Sequence, residues 1–149
     1  MPLAVAEAHR VLRPGGLLLD IHPQATPLRL ELWRSLTGQM PEDRAPSAFS
    51  RRALGHLASE STEPDFAAST EALSTAAGHG FQPGETRLFD YRFFFDTLDD
   101  LTTYLEENEE LDLADDDLLE GALLALQESP GPAQLVLVQP VIATCLRKP

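Results

Sequence analysis

The chain has 149 residues, of which 43% are hydrophobic, so it suits a single domain (1-149) with its own core and excludes wholesale disorder. Its 24 acidic residues outnumber 11 basic ones and give a formal net charge of −13. Phosphate backbones and anionic membranes repel such a chain, so we expect neither a nucleic-acid nor a membrane partner.

The cysteine content and the N-terminal residues bear on the compartment. Cys145 is the only cysteine and cannot form an intrachain disulfide, which is typical of a reducing cytoplasm. In an apolar strand its thiol should be inert. Glu7, His9 and Arg10 interrupt the apolar residues where a signal peptide would lie. Residues 135–146 form the longest apolar stretch, far short of the roughly 20 residues of a membrane helix. The sequence predicts a soluble, cytoplasmic protein.

The first predicted elements are a helix, a tight turn and a strand. Pro2 suits a first helical turn, and an apolar face at helical spacing continues to about Leu12. Pro14 cannot extend this helix, and the pair Gly15-Gly16 suits a C-cap that needs positive φ. A strand should begin at Leu17. Its four apolar residues in five, without polar alternation, are typical of a strand covered on both faces.

Three further helices are predicted in the middle of the chain. The first follows the N-cap pair Thr26-Pro27 and ends at Gly38, with apolar residues at helical spacing: Leu28, Leu32, Trp33 and Leu36. The second begins at Ser50 and carries Leu54 and Leu57. A linker over 59–64 leads to the third, which runs from Pro64 to Ala77 and ends at Gly78.

The C-terminal part predicts two strands and two helices. Residues 86–96 alternate as a strand with one strongly aromatic face. Thr97 to Asp100 has the spacing of a capping box that opens a helix. After an acidic stretch over 106–117, a helix should run from Leu118 to Gln127. Residues 134–146 form the last strand, in which Pro140 suggests a bulge.

A family resemblance lies in AEAHRVLRPGGLLLDIHP, residues 6–23. It resembles the segment of class I S-adenosylmethionine-dependent methyltransferases in which the fourth crossover helix leads through an "RvLkPGG" turn into the fifth strand. Gly80-Phe81 resembles the start of the sixth strand, and residues 135–146 resemble the antiparallel seventh. The resemblance implies the C-terminal half of that fold: an α/β, partial Rossmann-like arrangement. We expect a small mixed three-stranded sheet flanked by helices, with the strand near 134–146 antiparallel between the other two.

The cofactor half of the family is not recognisable in this sequence. Its site needs a glycine-rich turn after the first strand and an acidic residue ending the second. Gly15-Gly16 belongs to the later turn, and Gly78 to Gly80 follows a predicted helix. The family implies S-adenosylmethionine as cofactor, but we expect no cofactor binding by this chain alone.

Candidate substrate-binding residues follow from the same comparison. Asp20 and His22 end the first predicted strand, where open α/β sheets place their ligand crevice. A histidine there is more often structural, and its imidazole only permits acid/base chemistry. The aromatic residues are more often core than pocket. The candidates are His22, Arg29, Trp33 and Tyr91. No catalytic residue, Ser-His-Asp arrangement or metal-ligand spacing is legible, and the acidic stretch lacks the pattern of a calcium loop.

Two functional hypotheses remain open. The chain is either a methyltransferase-like protein that lacks the cofactor half and does not catalyse alone, or a non-enzymatic interaction domain that dimerises or completes a partner chain. A strand at Leu17 without its usual neighbours would leave an unpaired edge. We therefore expect a homodimer or a partner chain at the edge Gly16 to His22, and expect Leu18→Asp to abolish it.

Overall fold

The computed structural model describes residues 2–57, 63–108 and 116–149. The helices are α1 (Pro2–Val11), α2 (Glu63–Ser74), α3 (Leu98–Glu107) and α4 (Asp116–Gln127), with short 3-10 helices at Pro46–Ala48 and Ala76–His79. The strands are β1 (Leu17–Pro23), β2 (Leu28–Ser35), β3 (Phe49–Leu57), β4 (Gln82–Phe95) and β5 (Ala133–Arg147). The acidic stretch 106–117 and the predicted linker 59–64 fall in part outside the described residues.

The sheet corrects the expected fold class. It has five strands in the order β1-β5-β2-β3, and β4 also pairs with β5. The pairings of β1 with β5, β2 with β5 and β2 with β3 are all antiparallel. The expectation of a three-stranded, Rossmann-like sheet is therefore wrong, because an antiparallel sheet does not fit that fold. One part of the expected strand order does occur in this sheet, because β5 pairs with both β1 and β4.

The additional strands lie where two helices were predicted. Leu28, Leu30 and Leu32 in β2 are buried on one face, so the segment follows the two-residue period of a strand rather than the helical spacing. Strand β3 includes Gly55, whose added Cβ would lie 2.6 Å from Cδ1 of Leu118. That close approach to α4 accounts for a glycine at this point of the strand.

Two local predictions are confirmed. Helix α1 ends at Val11, and β1 begins at Leu17 after a turn in which Gly15 has a φ of 78°. The capping box of α3 is complete, since the Asp100 N–H donates to Thr97 Oγ1 at 3.1 Å and the Thr97 N–H donates to Asp100 Oδ2 at 3.2 Å. Both features depend on neighbouring residues only, which is why the sequence was sufficient.

By its contacts the chain divides into two compact units. Unit 1 comprises Met1–Thr26, Ser61–Tyr91 and Pro140–Pro149, and unit 2 comprises Pro27–Glu60 and Arg92–Gln139. Both β4 and β5 contribute residues to each unit. No helix in the described part of the chain is long and apolar enough to cross a membrane.

Unit 1 is built on helices α1 and α2 packed against β1 and β5. Its buried residues are Val5, Leu73, Ala76, Phe81 and Leu146, and Leu18 packs against them. The Lys148 ammonium donates to the carbonyl oxygens of His9 and Leu12 at 2.6 and 2.8 Å. These carbonyls lie at the C-terminal end of α1, where a positive charge is favourable.

The described residues of unit 2 form two buried clusters. One combines Phe95 with leucines of β2, β5 and α3, namely Leu30, Leu32, Leu101, Leu105, Leu135 and Leu137. The other is aromatic and surrounds Trp33 with Phe49 and Phe94, whose ring centroids lie 5.3 and 5.7 Å from the indole. Because β2 supplies leucines to one cluster and Trp33 to the other, side chains pack on both of its faces.

Candidate functional site

The candidate site in unit 1 is a cluster of polar side chains that includes Asp20 and His22 of β1. Successive side chains of a strand point to opposite faces, so Leu18, Asp20 and His22 share one face. Leu18 packs against the core of unit 1, and His22 is only 8% exposed. The spacing therefore directs a carboxylate and an imidazole inward, towards α2.

Asp20 and His22 form a hydrogen-bonded pair on this face. The Oδ2 atom of Asp20 is bonded to Nδ1 of His22. Their side chains are 21% and 10% exposed, so both are largely removed from water. A carboxylate only accepts hydrogen bonds, so Nδ1 carries a proton, and the other ring nitrogen of a neutral imidazole is an acceptor.

The third member of the cluster comes from α2. Thr70 Oγ1 lies 3.0 Å from Nε2 of His22, and the same hydroxyl is placed to donate to the Phe66 carbonyl at 3.1 Å. A threonine hydroxyl has a single proton, so it can donate to only one of these acceptors at a time. The arrangement thus aligns a carboxylate, an imidazole and a hydroxyl, as in nucleophile sites that rely on an oriented base.

Two cavities of unit 1 meet at this cluster. The first has a volume of about 260 Å³, and its lining includes His22, Thr70, Ser74 and Ile142. The second, of about 500 Å³, shares the last three of these and adds Glu71. Thr70 itself is exposed, so its hydroxyl is accessible to a molecule entering either cavity.

The four candidate substrate-binding residues are divided between the two units. His22 and Tyr91 belong to unit 1, whereas Arg29 and Trp33 belong to unit 2. Of the four, His22 alone lines the cavities described above. Tyr91 lies on β4 and is 54% exposed.

Trp33 occupies the interior of unit 2. It has no exposed surface, and its Nε1–H donates to Glu31 Oε2 at 2.7 Å. The guanidinium groups of Arg51 and Arg92 lie 5.7 and 5.5 Å from the indole ring, within the range of cation–π attraction. Arg29, one strand residue from Leu30, has its Nε 3.4 Å from Glu31 Oε1. These contacts account for the burial of Trp33 and its polar atom.

Thr70 is the member that sequence reasoning missed. It lies on the predicted helix from Pro64 to Ala77, at helical spacing from Phe66 and Leu73, but its side chain is exposed. Asp20 and His22 were predicted to lie together at the end of the first strand, which the structure confirms. What the sequence lacked was the packing of α2 against β1, which brings together residues 48 positions apart.

The described residues do not fit S-adenosylmethionine in the manner of the resembled family. That manner requires a glycine turn between a strand and a helix, where backbone approaches the cofactor. The positive-φ glycines are Gly15, which precedes a strand, Gly38, which lies between two strands, and Gly80, which also precedes a strand. Within residues 2–57, 63–108 and 116–149, no group of three potential ligands is placed to hold a metal ion.

A second feature of unit 1 is the opposite face of β1. Leu17, Leu19 and Ile21 are 61%, 63% and 58% exposed. Their partners on β5 are Arg147, Cys145 and Ala143, none of which is buried. The expectation that both faces of this strand are covered is therefore wrong for the described chain. We name Leu17, Leu19 and Ile21 the β1 apolar face.

Comparison with protein-family models, with curated proteins and with solved structures finds no match to this chain.

Proposed function

We propose that this chain is an interaction domain that forms a homodimer through the outer edge of β1. The observation that carries the proposal is the exposure of the β1 apolar face on a strand that ends the sheet order. Exposed strand edges with apolar side chains pair readily with other chains. Burying a leucine that is now exposed contributes about 1.5–3 kcal/mol.

Backbone groups support the same edge. In a strand the N–H and C=O groups of successive residues point alternately to the two sides. The N–H of Gln24 donates to the Pro140 carbonyl at 2.8 Å, so the even-numbered residues that precede it direct their groups towards β5. The groups of Leu17, Leu19 and Ile21 then point away from β5, where they are available to another strand.

The residue order of β1 favours a second copy as the partner. When two copies pair antiparallel about Leu19, Leu17 lies opposite Ile21, and Asp20 lies opposite Leu18. Apolar residues then face one another, and no two like charges are directly opposed. Such a twofold interface uses the same patch on both chains and closes at two copies. Pro23 has no N–H, so it limits the length of the pairing edge.

The solution mass of the purified full chain over a concentration series tests this proposal. We expect the wild type to have twice the mass of one chain. The Leu19→Lys variant should have the mass of one chain, because its association should be weakened at least about tenfold. Lysine at an exposed position of an edge strand opposes pairing without disturbing the core. A wild-type chain that stays monomeric throughout the series would overturn the proposal, as would a Leu19→Lys variant that dimerises as tightly as wild type.

Two further variants make this test specific. Leu36→Lys replaces a leucine that is 60% exposed outside β1, so it should leave the dimer intact. Leu18→Asp, which the sequence suggested, is less informative because Leu18 packs against the core of unit 1. A charge there should damage the fold itself, whatever the oligomeric state.

We also propose descent from S-adenosylmethionine-dependent methyltransferases, on the strength of one turn. Gly15 has a φ of 78°, and a Cβ on Gly16 would lie 2.8 Å from the Arg13 carbonyl oxygen. Both positions therefore favour glycine, which supports the likeness of Arg13 to Gly16 to the family's turn. The likeness is confined to this turn, because the antiparallel pairings of the sheet do not fit the family's fold.

Calorimetric titration with S-adenosylmethionine and S-adenosylhomocysteine separates descent from retained activity. We expect no binding to the chain alone, because none of the positive-φ glycines leads from a strand into an α-helix. Saturable binding of either compound would contradict this expectation and would make methyl transfer the first activity to assay.

A further inference from the structure

We propose that Asp20, His22 and Thr70 form an acyl-transfer site in unit 1, in which the Thr70 hydroxyl accepts an acyl group from a small uncharged ester. The proposal goes beyond dimerisation and does not depend on it. It rests on the 3.0 Å separation of Thr70 Oγ1 and His22 Nε2, and on the cavity of about 260 Å³ beside them. A nucleophile and a base within hydrogen-bond reach, with the base oriented by a third group, are the requirements for this chemistry.

His22 is oriented to act as the base. Its Nδ1–H donates to Asp20, so a neutral ring presents the lone pair of Nε2 to Thr70. The side chain is only 10% exposed, so packing limits the motion of the ring. Asp20 is a positioning residue, because it fixes the tautomer and orientation of the imidazole without touching the substrate.

The hydroxyl has a place for its proton in both states of the imidazole. With a neutral ring, Thr70 donates to Nε2 of His22. When the ring is protonated, Nε2–H donates to Thr70 Oγ1, and Thr70 can donate instead to the Phe66 carbonyl at 3.1 Å. The proton that His22 removes crosses the 3.0 Å contact between Oγ1 and Nε2, so its transfer needs only rotation of the hydroxyl.

The cavity defines the class of substrate. His22 is its only titratable lining residue among those that the structure describes, and Leu73, Ile142 and Leu146 supply apolar surface. A short acyl chain suits such a lining, whereas a carboxylate or phosphate would find no cationic side chain there.

Two further threonines, Thr86 and Thr144, also line this cavity. Thr86 and Thr144 make no side-chain hydrogen bond to any described residue. Their hydroxyls are thus available to donate to a carbonyl oxygen that becomes negative during the reaction. A polar donor pair beside an apolar lining matches the two ends of an acyl group.

The reaction proceeds in two balanced halves. His22 Nε2 takes the proton of Thr70 Oγ1 while that oxygen bonds to the acyl carbon. The bond from the acyl carbon to the leaving oxygen then breaks, and the imidazolium returns the proton to the leaving alcohol. In the second half His22 Nε2 takes a proton from water while the water oxygen bonds to the acyl carbon. The bond from the acyl carbon to Thr70 Oγ1 then breaks, and the imidazolium returns the proton to Oγ1. This releases a carboxylic acid and restores the Thr70 hydroxyl.

The test uses the full chain with p-nitrophenyl acetate as the probe. We expect release of nitrophenolate, an intact mass increased by one acetyl group, and peptide mapping of that group to Thr70. Thr70→Val removes the hydroxyl and should lower the rate at least about 100-fold, whereas Thr70→Ser should retain the label. Thr70 is exposed, so both variants should fold, which far-ultraviolet circular dichroism checks.

Matched variants identify the base and the positioning residue. His22→Asn should abolish labelling, whereas His56→Asn, at an exposed histidine of unit 2, should leave it unchanged. Asp20→Asn should lower kcat at an unchanged KM, because it disturbs the orientation of the base rather than the cavity. The proposal is overturned if the wild type carries no acetyl group on Thr70, or if Thr70→Val is acetylated as fast as wild type.

Discussion

Strands β1 and β2 resemble one another in sequence and pairing but differ in burial. Both are leucine-rich and pair antiparallel with β5. Each also carries a carboxylate bonded to a ring nitrogen two residues later, Asp20 to His22 in β1 and Glu31 to Trp33 in β2. Leu17 and Leu19 are more than half exposed, whereas the leucines of β2 are at most 7% exposed.

The number of neighbouring strands accounts for part of this difference. β2 lies between β5 and β3, while β1 has β5 on one side and ends the sheet order. In unit 2 side chains of α3 and α4 share a buried cluster with the leucines of β2. Apolar content therefore indicates that a strand can be buried, but the elements around it decide whether both of its faces are.

The largest effect is expected when a buried leucine of β2 and an exposed leucine of β1 are each replaced by alanine. Leu30→Ala should reduce the free energy of unfolding by about 3 kcal/mol, because Leu30 is fully buried in β2. Leu19→Ala should change it by less than about 0.5 kcal/mol in the monomer. Urea unfolding of dilute samples measures both values, and equal losses would mean that the β1 apolar face is already covered.

A smaller effect is expected at the polar pair of β2. Glu31→Ala leaves the indole N–H of a fully buried Trp33 without its acceptor and should cost about 2 kcal/mol, also measured by urea unfolding. Glu31→Gln keeps an accepting oxygen and should cost less. Glu85→Ala, at a carboxylate exposed beside Arg87, is the control and should be nearly neutral. If Glu31→Ala left the free energy of unfolding unchanged, the hydrogen bond would contribute little to the burial of β2.

The smallest effect concerns the exposed pair on α1, which precedes β1. Arg10 lowers the pKa of Glu7 below its ordinary value of 4.5 through a side-chain hydrogen bond. A carboxylate with a lowered pKa stabilises the folded state above the ordinary value, and this contribution is lost as the pH falls through the folded-state pKa. Glu7→Gln should therefore slightly reduce stability at neutral pH and leave it unchanged in acid.

Chemical denaturation of wild type and Glu7→Gln at neutral and at acid pH measures this difference in the free energy of unfolding. Because the pair is fully exposed and screened by solvent, a large acid-dependent loss that persists in Glu7→Gln must come from other carboxylates of the chain.

Local signals predicted part of this fold and little of the site. The turn at Gly15 and the capping box at Thr97 each involve a few successive residues, so their chemistry is legible in the sequence. Leu28, Leu32 and Trp33 fit a helical spacing as well as a strand, and pairing with β3 and β5 decided for the strand. Local pattern alone cannot make that decision.

The candidate site shows the same limit. His22 and Asp20 were both singled out from their place at the end of a strand, but Thr70 required the packing of α2. A threonine on a predicted helix cannot be recognised as a nucleophile from the sequence, because its reactivity depends on a base beside it. Trp33, by contrast, had an aromatic character typical of pockets and cores alike, and the structure places it in a core.

The pairing of Leu17 with Arg147 has a consequence for synthesis of the chain. The β2–β3 pairing involves segments that lie close in sequence, so it can form while the rest of the polypeptide is still being made. β1 has no such early partner, because β5 follows β2, β3 and β4 in the chain. Its leucines therefore have no neighbouring strand while β2, β3 and β4 are being made, which is the period when a chaperone would have the most surface to bind.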